Sequence, residues 1–557
     1  MGKYVFGYDF GTLSCRGVAL RLEDGKLMAT AESRYKNGVI SGMMHHKPIP
    51  FEDEWFLQDP DDWLNSMCSV TEQMLRESGI PPEDVAGIGT DFTSCTMIPV
   101  CQDGAPLCKK AEFRDIPNAW PKLWKHHGAQ KYAEEIERYA REHTDWLRKY
   151  FGNSVSSEWM FPKIMQVAKE DPEIYRATDL FMEAVDWIVY WLTGNLKRTG
   201  GILGVNAFWI KGRGYPDRSF LKALDPMMED LVETKFAGEI IDVGDFAGHL
   251  SSRAAERLGL TEHTAVSAGH SDGAVAGCGA GVTRSGSMML VMGTSTCHQM
   301  MCRDFHSFDG VCSVAADGMV PGLYGYESGQ PATGDLFEWF AGNAVPREYY
   351  EKAGEEGKSI LEYLGDLAAE LEPGESGLIA LDWFNGNRSV LSNYNLSGAI
   401  IGLTLHTKTE EIYRALVEAN IFGSRKILEN YKNNGVAIDA IYAVGGIARK
   451  SPWIMQMCAD IFHQEVIVPQ IDNVPARGAA ACAAVAVGKE CGYPGCMDFE
   501  ESSERLIPGE TLVYRPDGAR GRLYDELYCY YGKLHDVFGR DDSFMKGLRN
   551  IGKSRNV

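Results

Sequence analysis

With 557 residues, 45% of them hydrophobic and 24% charged, the chain is too long for one core and too apolar to be disordered; about two to four domains fit it. The 55 Lys and Arg against 77 Asp and Glu leave a net charge of −22, which a phosphate backbone repels, and no basic stripe interrupts it, so nucleic acid is excluded as a partner. No apolar run approaches the roughly 18–20 residues of a membrane span, so no membrane partner is expected.

The N-terminal residues lead directly into a strand-like run without signal-peptide anatomy, and Phe6 stands where a myristoylation motif needs Ser or Thr. Fourteen cysteines without a Cys-x-x-Cys pair read as reduced thiols, which makes the expected compartment the cytoplasm.

An apolar run from Tyr4 enters a polar turn over residues 9–14, and a second apolar run leaves it. This is a hairpin whose turn holds Asp9, Gly11 and Thr12. Residues 60–80 and 159–192 have helical spacing, with Gly194 as a stop, and residues 85–100 read as strand, polar turn and strand. The hairpin unit recurs around Met292-Gly293-Thr294-Ser295-Thr296, with Gly293 lying 282 positions after Gly11. The recurrence points to two related halves. Residues 409–430 form a long amphipathic helix, residues 438–444 a strand ending in Gly445-Gly446, and residues 476–487 an Ala-rich helix for close packing. Alternating strands and helices give an α/β chain, with a boundary near residue 282.

A Gly-Thr turn at a strand end offers N–H groups and hydroxyls to phosphate, and a carboxylate such as Asp9 beside it can hold Mg²⁺ through water. Either turn alone is equally an ordinary hairpin turn; two facing each other across a cleft favour phosphate. Asp272, in Gly269-His-Ser-Asp272-Gly, stands at a loop-to-helix junction. It can accept the proton of an attacking hydroxyl, or it can be a helix N-cap. Gly445-Gly446 admits a close approach by a nucleotide, or is a simple tight turn.

Gly547-Leu-Arg-Asn-Ile-Gly552-Lys553-Ser554 matches a P-loop by letter, but no buried strand precedes it, so it is rejected. Gly277-Cys-Gly279-Ala-Gly281 reads as a packing run. The pairs His45-His46 and His126-His127 lack a third ligand at metal-site spacing.

Taken together, Asp9-Phe-Gly-Thr-Leu-Ser, Asp91-Phe-Thr-Ser-Cys-Thr, Gly269-His-Ser-Asp272-Gly, Met292-Gly-Thr-Ser-Thr-Cys-His298 and Gly445-Gly446 resemble, in order, the motifs of FGGY carbohydrate kinases. Residues 156–163, 321–330 and 381–389 resemble segments of the ribulokinase branch. The resemblance implies two ribonuclease-H-like (actin-like ATPase) domains flanking a central cleft. It implies a sugar-binding domain over residues 1–282, a nucleotide-binding domain over 283–490 and an appendage over 491–557.

By the same resemblance Asp272 is the catalytic base and, with Asp9, a metal ligand. Asp9, Gly11, Thr12, Arg16, Gly293 and Thr294 surround the phosphates, while Gly334, Gly445 and Gly446 contact the nucleotide. Ser94, Cys95, Asn206 and Glu327 line the sugar pocket. The implied cofactors are ATP and Mg²⁺, and the implied reaction converts a ketopentose, L-ribulose foremost, to its 5-phosphate. A homodimer is compatible with this reading. Asn206 stands where the branch has Lys, and Ser451 where many relatives have Asn, which leaves another ketose or polyol open. An actin-like ATP switch without sugar transfer is the alternative of a different class.

Overall fold

The computed structural model describes residues 3–44, 47–48, 54–491, 495–507, 509–541 and 543–553. Tyr4–Phe10 (β1) and Ser14–Arg21 (β2) pair antiparallel around Gly11-Thr12-Leu13, and Leu27–Arg34 (β3) continues the meander. On the other side of β1, Val85–Phe92 (β4) lies parallel. Phe246–His249 (β5), Ala265–Ser267 (β6) and His270–Ser271 (β7) complete a seven-stranded sheet of order β5-β6-β4-β1-β2-β3, with β7 also against β4. The central strands β1 and β4 are buried almost throughout, as strands covered on both faces must be.

The second half repeats this plan. Its strands are Ser287–Met292 (β8), Thr296–Cys302 (β9), Ser313–Ala316 (β10), Tyr324–Gln330 (β11), Ala440–Val444 (β12), Val466–Pro469 (β13) and Thr511–Tyr514 (β14). They are ordered β10-β11-β9-β8-β12-β13-β14. In each sheet the central strand turns through Gly-Thr into an antiparallel neighbour and has a parallel strand on its other side. The recurrence seen in the sequence is thus a recurrence of topology.

Helix α1 (Pro60–Ser78) starts at Asp59, whose side chain accepts from the Asp61 N–H, and stops at left-handed Gly79. The helical stretch expected over residues 159–192 is instead Met160–Glu170 (α2), a short helix opened by Pro172, a strand Leu180–Glu183 and Ala184–Thr193 (α3). Pro172 bars the preceding residue from helical geometry, and Leu180–Glu183 is drawn into pairing with Met97–Val100. Further helices are Gly200–Asn206 (α4), Asp272–Gly279 (α5), Gly334–Ala344 (α6), Thr409–Asn433 (α7), Gly446–Lys450 (α8), Pro452–Phe462 (α9) and Val474–Cys491 (α10).

Although it comes late in the chain, α10 packs on the first sheet. A Cβ at Gly7 would stand 1.9 Å from the Ala476 carbonyl, and one at Gly89 1.8 Å from that of Ala479. Only bare glycine on β1 and β4 lets the Ala-rich helix approach this closely. Helices α5 and α10 touch the same way, Gly279 against Val474 and Gly478 against Val275, so one helix from each half meets at the centre. This is the packing use expected of the Gly277–Gly281 run.

The last residues are built into the second half. Strand β14 pairs with β13, and helix α11 (Gly518–Arg540) places Tyr531 Oη on Asp382 at 3.0 Å and Tyr524 Oη under the Arg414 guanidinium at 2.9 Å. Gly547 lies inside helix α12 (Ser543–Lys553), so the P-loop letters there form no loop; Ser554 lies outside the described residues. His45 and His46 also lie outside them. His126 and His127 serve structure, on Gln166 at 2.9 Å and Glu158 at 3.1 Å. Among the described residues no helix is long and apolar enough to cross a membrane.

Candidate active site

Parallel pairing of β1 with β4 sets Asp9 directly beside Asp91, and antiparallel pairing of β1 with β2 sets Asp9 beside Arg16. Asp9 is 5% exposed and Asp91 fully buried. Arg16 Nη1 lies 3.4 Å from Asp9 Oδ2. Among the described residues no N–H or O–H group serves the Asp91 carboxyl, whose neighbour is the Asp9 carboxyl. Two such groups can meet only over a shared proton. Burial, then the charges of Asp9 and Asp272, push Asp91 well above the ordinary carboxylate range. Burial raises Asp9 as well, against the pull of Arg16.

Asp272 is the first residue of α5, and Ser271 rather than Asp272 is the N-cap. The Asp272 carboxylate accepts from the Gly273 N–H at 2.7 Å. Burial first, and then the charge of Asp9, raise it to about 7, with Glu327 adding to the rise and the Gly273 and Ser94 N–H groups opposing it. Ser94 therefore meets Asp272 through its backbone. A carboxylate poised near neutrality is a base strong enough to take a hydroxyl proton and ionised enough to act.

The second Gly-Thr turn is tied to its surroundings mainly by backbone hydrogen bonds, with the Thr296 and Thr333 hydroxyls paired at 2.8 Å beside it. The Thr294 carbonyl accepts from the Thr333 and Asp335 N–H groups at 2.8 and 3.2 Å, and the Gly293 carbonyl from the Gly334 N–H at 3.0 Å. A Cβ at Gly334 would stand 2.8 Å from that Gly293 oxygen. Gly445, with φ of 103°, abuts the Met292 carbonyl, whereas Gly446 faces open space. In the first turn the Thr12 hydroxyl accepts from Trp124 Nε1 at 3.1 Å and its carbonyl from Gln58 Nε2 at 2.7 Å, while Gly11 closes the hairpin through Ser14. A cleft of about 620 Å³ opens between the halves, walled by Asp9 and Arg16 on one side and Gly445, Gly446 and Arg449 on the other. Beside Asp272, a Cβ at Gly273 would stand 2.9 Å from Gln299 Nε2 of β9, the strand that leaves the second turn.

Glu327 of β11 lines a second, smaller cavity together with Glu158 and Arg388. Arg388 comes from the second half and reaches Glu158 of the first at 3.9 Å. Burial works against charge on Glu158, but the His127 hydrogen bond and the Arg388 cation outweigh it and hold this carboxyl below its usual range. Glu327 is raised by burial, with Arg388 opposing. The three stretches resembling one branch of the kinases thus converge on one cavity. Glu158 and Arg388 stood inside those stretches without being singled out; no local pattern around either residue marks it, since Arg388 lies between Asn387 and Ser389 and Glu158 between Ser157 and Trp159.

Cys95 has left-handed backbone, φ 63°, and its carbonyl accepts from the buried Lys163 Nζ at 2.7 Å. Asn206 is fully buried at the end of α4, with Nδ2 on Cys95 Sγ at 3.4 Å and Oδ1 without a partner. Glu183 stands beside it, raised to about 8 by burial and then by Asp186. Asn206 and Cys95 are therefore joined to each other, one residue from the Ser94 N–H that meets Asp272.

Residues 4–279 match the model of the FGGY family of carbohydrate kinases, N-terminal domain, and residues 288–487 that of its C-terminal domain. Ribulokinase of Anoxybacillus flavithermus is 43% identical over 98% of this chain and 97% of its own length, and that of Mycolicibacterium smegmatis 40% identical over 98% and 96%. Among solved structures, a xylulose kinase from Rhodospirillum rubrum superposes with a TM-score of 0.76 at 21% identity over 97% of this chain and 99% of that one. A Plasmodium falciparum glycerol kinase with ADP does so with a TM-score of 0.74 at 15% identity, over 95% and 98%. These two likenesses bear on the fold, which is that of two domains flanking a cleft. With family models covering both halves and relatives matching nearly end to end, this chain belongs to the FGGY family of carbohydrate kinases.

Proposed function

We propose that the chain transfers the γ-phosphate of ATP to the terminal hydroxyl of L-ribulose, giving L-ribulose 5-phosphate. The observation that carries this reading is Asp272, raised to about 7 by burial and then by the charge of Asp9, which lines the cleft, with Glu327, which lines the smaller cavity, adding to the rise. Asp272 takes the proton of the sugar hydroxyl as its oxygen bonds to phosphorus and the bond to ADP breaks. The hydroxyls of Thr12 and Thr294, with Arg16, meet the phosphate oxygens. Glu327 accepts hydroxyls of the sugar, and closure of the halves keeps water from replacing it.

Asp9 and Asp272 fit Mg²⁺, a hard cation that takes one or two carboxylates and leaves its other positions to water and phosphate. When bound, that ion neutralises charge on the transferring phosphate. Asp9 lines the cleft wall beside Arg16, where a cation held by it would meet the phosphates. In this reading residues 1–282 hold the sugar and 283–490 the nucleotide, and the reaction takes place in the cytoplasm.

One observation favours a second reading, a different ketose or polyol: the neutral, buried Asn206 beside Cys95. A coupled assay of ADP release over a panel of pentuloses and pentitols decides. The highest kcat/KM is expected with L-ribulose; preference for a pentitol would select the second reading, and no sugar-stimulated ADP release would defeat both.

A further inference from the structure

Helix α11 lies far along the chain from both phosphate turns, yet one of its side chains opens a run of buried hydrogen bonds that ends beside the second Gly-Thr turn. Tyr531 Oη donates to Asp382 Oδ1 at 3.0 Å. Gln330 Nε2 donates to Asp382 Oδ2 at 2.8 Å and to the Asn420 carbonyl at 2.7 Å, while Ser424 Oγ donates to Gln330 Oε1 at 2.6 Å and fixes which way that amide faces. Asn420 Nδ2 in turn donates to the Thr333 hydroxyl at 3.2 Å and the Ala332 carbonyl at 3.1 Å. The Thr333 and Thr296 hydroxyls pair at 2.8 Å. Thr296 opens β9 at the end of the turn, and strand register sets it opposite Gln330 of β11.

Every side chain in the run is at most 5% exposed, and none holds a buried polar atom without a partner. Polar groups this deep are costly unless all are matched, and a fully matched network admits one arrangement. Burial raises Asp382 to about 6, with the Gln330 and Tyr531 hydrogen bonds opposing, so at neutral pH it is largely ionised and serves as an acceptor. Helix α7 makes room by carrying glycine: a Cβ at Gly423 would stand 2.5 Å from Gln330 Nε2 and 3.0 Å from Asp382 Oδ2. Thr333 stands at the N-cap of α6, where threonine ordinarily turns its hydroxyl to the first N–H groups of the helix, but its side chain makes no such bond. That hydroxyl goes to Asn420 and Thr296 instead, and the Thr333, Gly334 and Asp335 N–H groups go to the carbonyls of the turn. The turn therefore sits where Thr333 puts it.

We propose that this run positions the second Gly-Thr turn for the phosphates of ATP, with Tyr531 as its anchor and Thr333 as the residue that passes the position to Thr294. The proposal rests on the reading that this turn meets those phosphates. Tyr531 is fully buried, so it acts through the run and not by contact with the nucleotide. A phosphate contact depends on placement, and placement depends on the side chains packed and bonded behind it. The helix that the resemblance assigned to an appendage is in this way part of nucleotide recognition.

Thr333→Val removes the hydroxyl at nearly constant volume, and Thr333→Ser keeps it. Tyr531→Phe removes the far end of the run while its ring stays against Phe422. Isothermal titration of the full chain with AMP-PNP and with adenosine reads the effect. AMP-PNP is expected to bind Thr333→Val and Tyr531→Phe about fivefold or more weakly, and Thr333→Ser within about twofold of the unsubstituted chain. Adenosine, which has no phosphate, should bind all of them alike, and the KM for L-ribulose should not move. A general loosening of the domain would weaken adenosine as well. Unchanged AMP-PNP affinity in Thr333→Val or Tyr531→Phe, or an equal loss for adenosine, would overturn the proposal. Thr294→Ala separates the two levels. If it binds AMP-PNP weakly while Thr333→Val and Tyr531→Phe bind it normally, the positioning run is wrong and the phosphate reading stands; if it too binds normally, both fall. Should Thr333→Val not fold, Tyr531→Phe decides alone.

Discussion

Arg388, carried by the second half, lies 3.9 Å from Glu158 of the first, so the wall of the Glu327 cavity is an ion pair spanning the two halves. The pair is shielded from water, with the two side chains 19% and 20% exposed, and His127 holds the carboxylate from behind. It couples closure to the sugar, because the cavity exists only when both halves contribute. Arg388→Gln leaves Glu158 facing Glu327 without the cation between them. The expected result is a sugar KM raised about tenfold or more, with Arg388→Lys recovering little because a point charge does not reproduce the guanidinium fork. Steady-state kinetics at saturating ATP check this; an unchanged KM would detach the pair from the sugar.

The hairpin turns and the doubled plan were legible in the sequence because they are local: Gly-Thr between two apolar runs is read within ten residues. What lay hidden depends on register and on distant pairing. Asp91 acquires its meaning only because β4 aligns it with Asp9, and Glu158 meets Arg388 only once both halves have folded. The apolar periodicity of residues 159–192 suggested one helix because burial was satisfied either way, while Pro172 and the pairing of Leu180–Glu183 decided the break. The Ala-rich composition of α10 announced close packing, but not that its partner is the sheet of the other half.

The two glycines after β12 are expected to fail in different ways. Gly445→Ala forces a Cβ into left-handed backbone 2.3 Å from the Met292 carbonyl. It should cost about 1–3 kcal/mol and lower the thermal midpoint. Gly446→Ala adds a methyl group where nothing stands within 4 Å, so the fold is kept. Its Cβ enters the cleft instead, and the ATP KM rises severalfold. Thermal denaturation and ATP titration of both variants separate these effects; equal midpoints would contradict the strain at Gly445.

Asn206→Lys is expected to ionise Glu183, which stands near 8 because burial and then Asp186 outweigh the Lys163 and Arg198 cations. The new ammonium group beside Cys95 changes the polarity next to the base, and the kcat/KM ratio of L-ribulose to ribitol should shift about tenfold. An unaltered ratio would show that Asn206 does not face the acceptor.

Acidity should set both rate and stability through Asp272. The base acts ionised, so kcat/KM should climb with pH up to about 7 and level off above it. Stability moves oppositely. The folded value lies above the 3.8 of a free carboxyl, so the contribution of protonated Asp272 is complete below about 4 and is lost as pH rises through about 7. Asp272→Asn should therefore melt higher than the unsubstituted chain at pH 8, with a gap that closes toward pH 4. A gap independent of pH would place the titration elsewhere.

Turnover of Asp272→Asn tests the account most directly, because the side chain keeps its shape and loses its charge and its capacity to accept a proton. With ATP and L-ribulose saturating, kcat should fall about a hundredfold or more while the ATP dissociation constant stays within about twofold. A kcat near that of the unsubstituted chain would contradict the account.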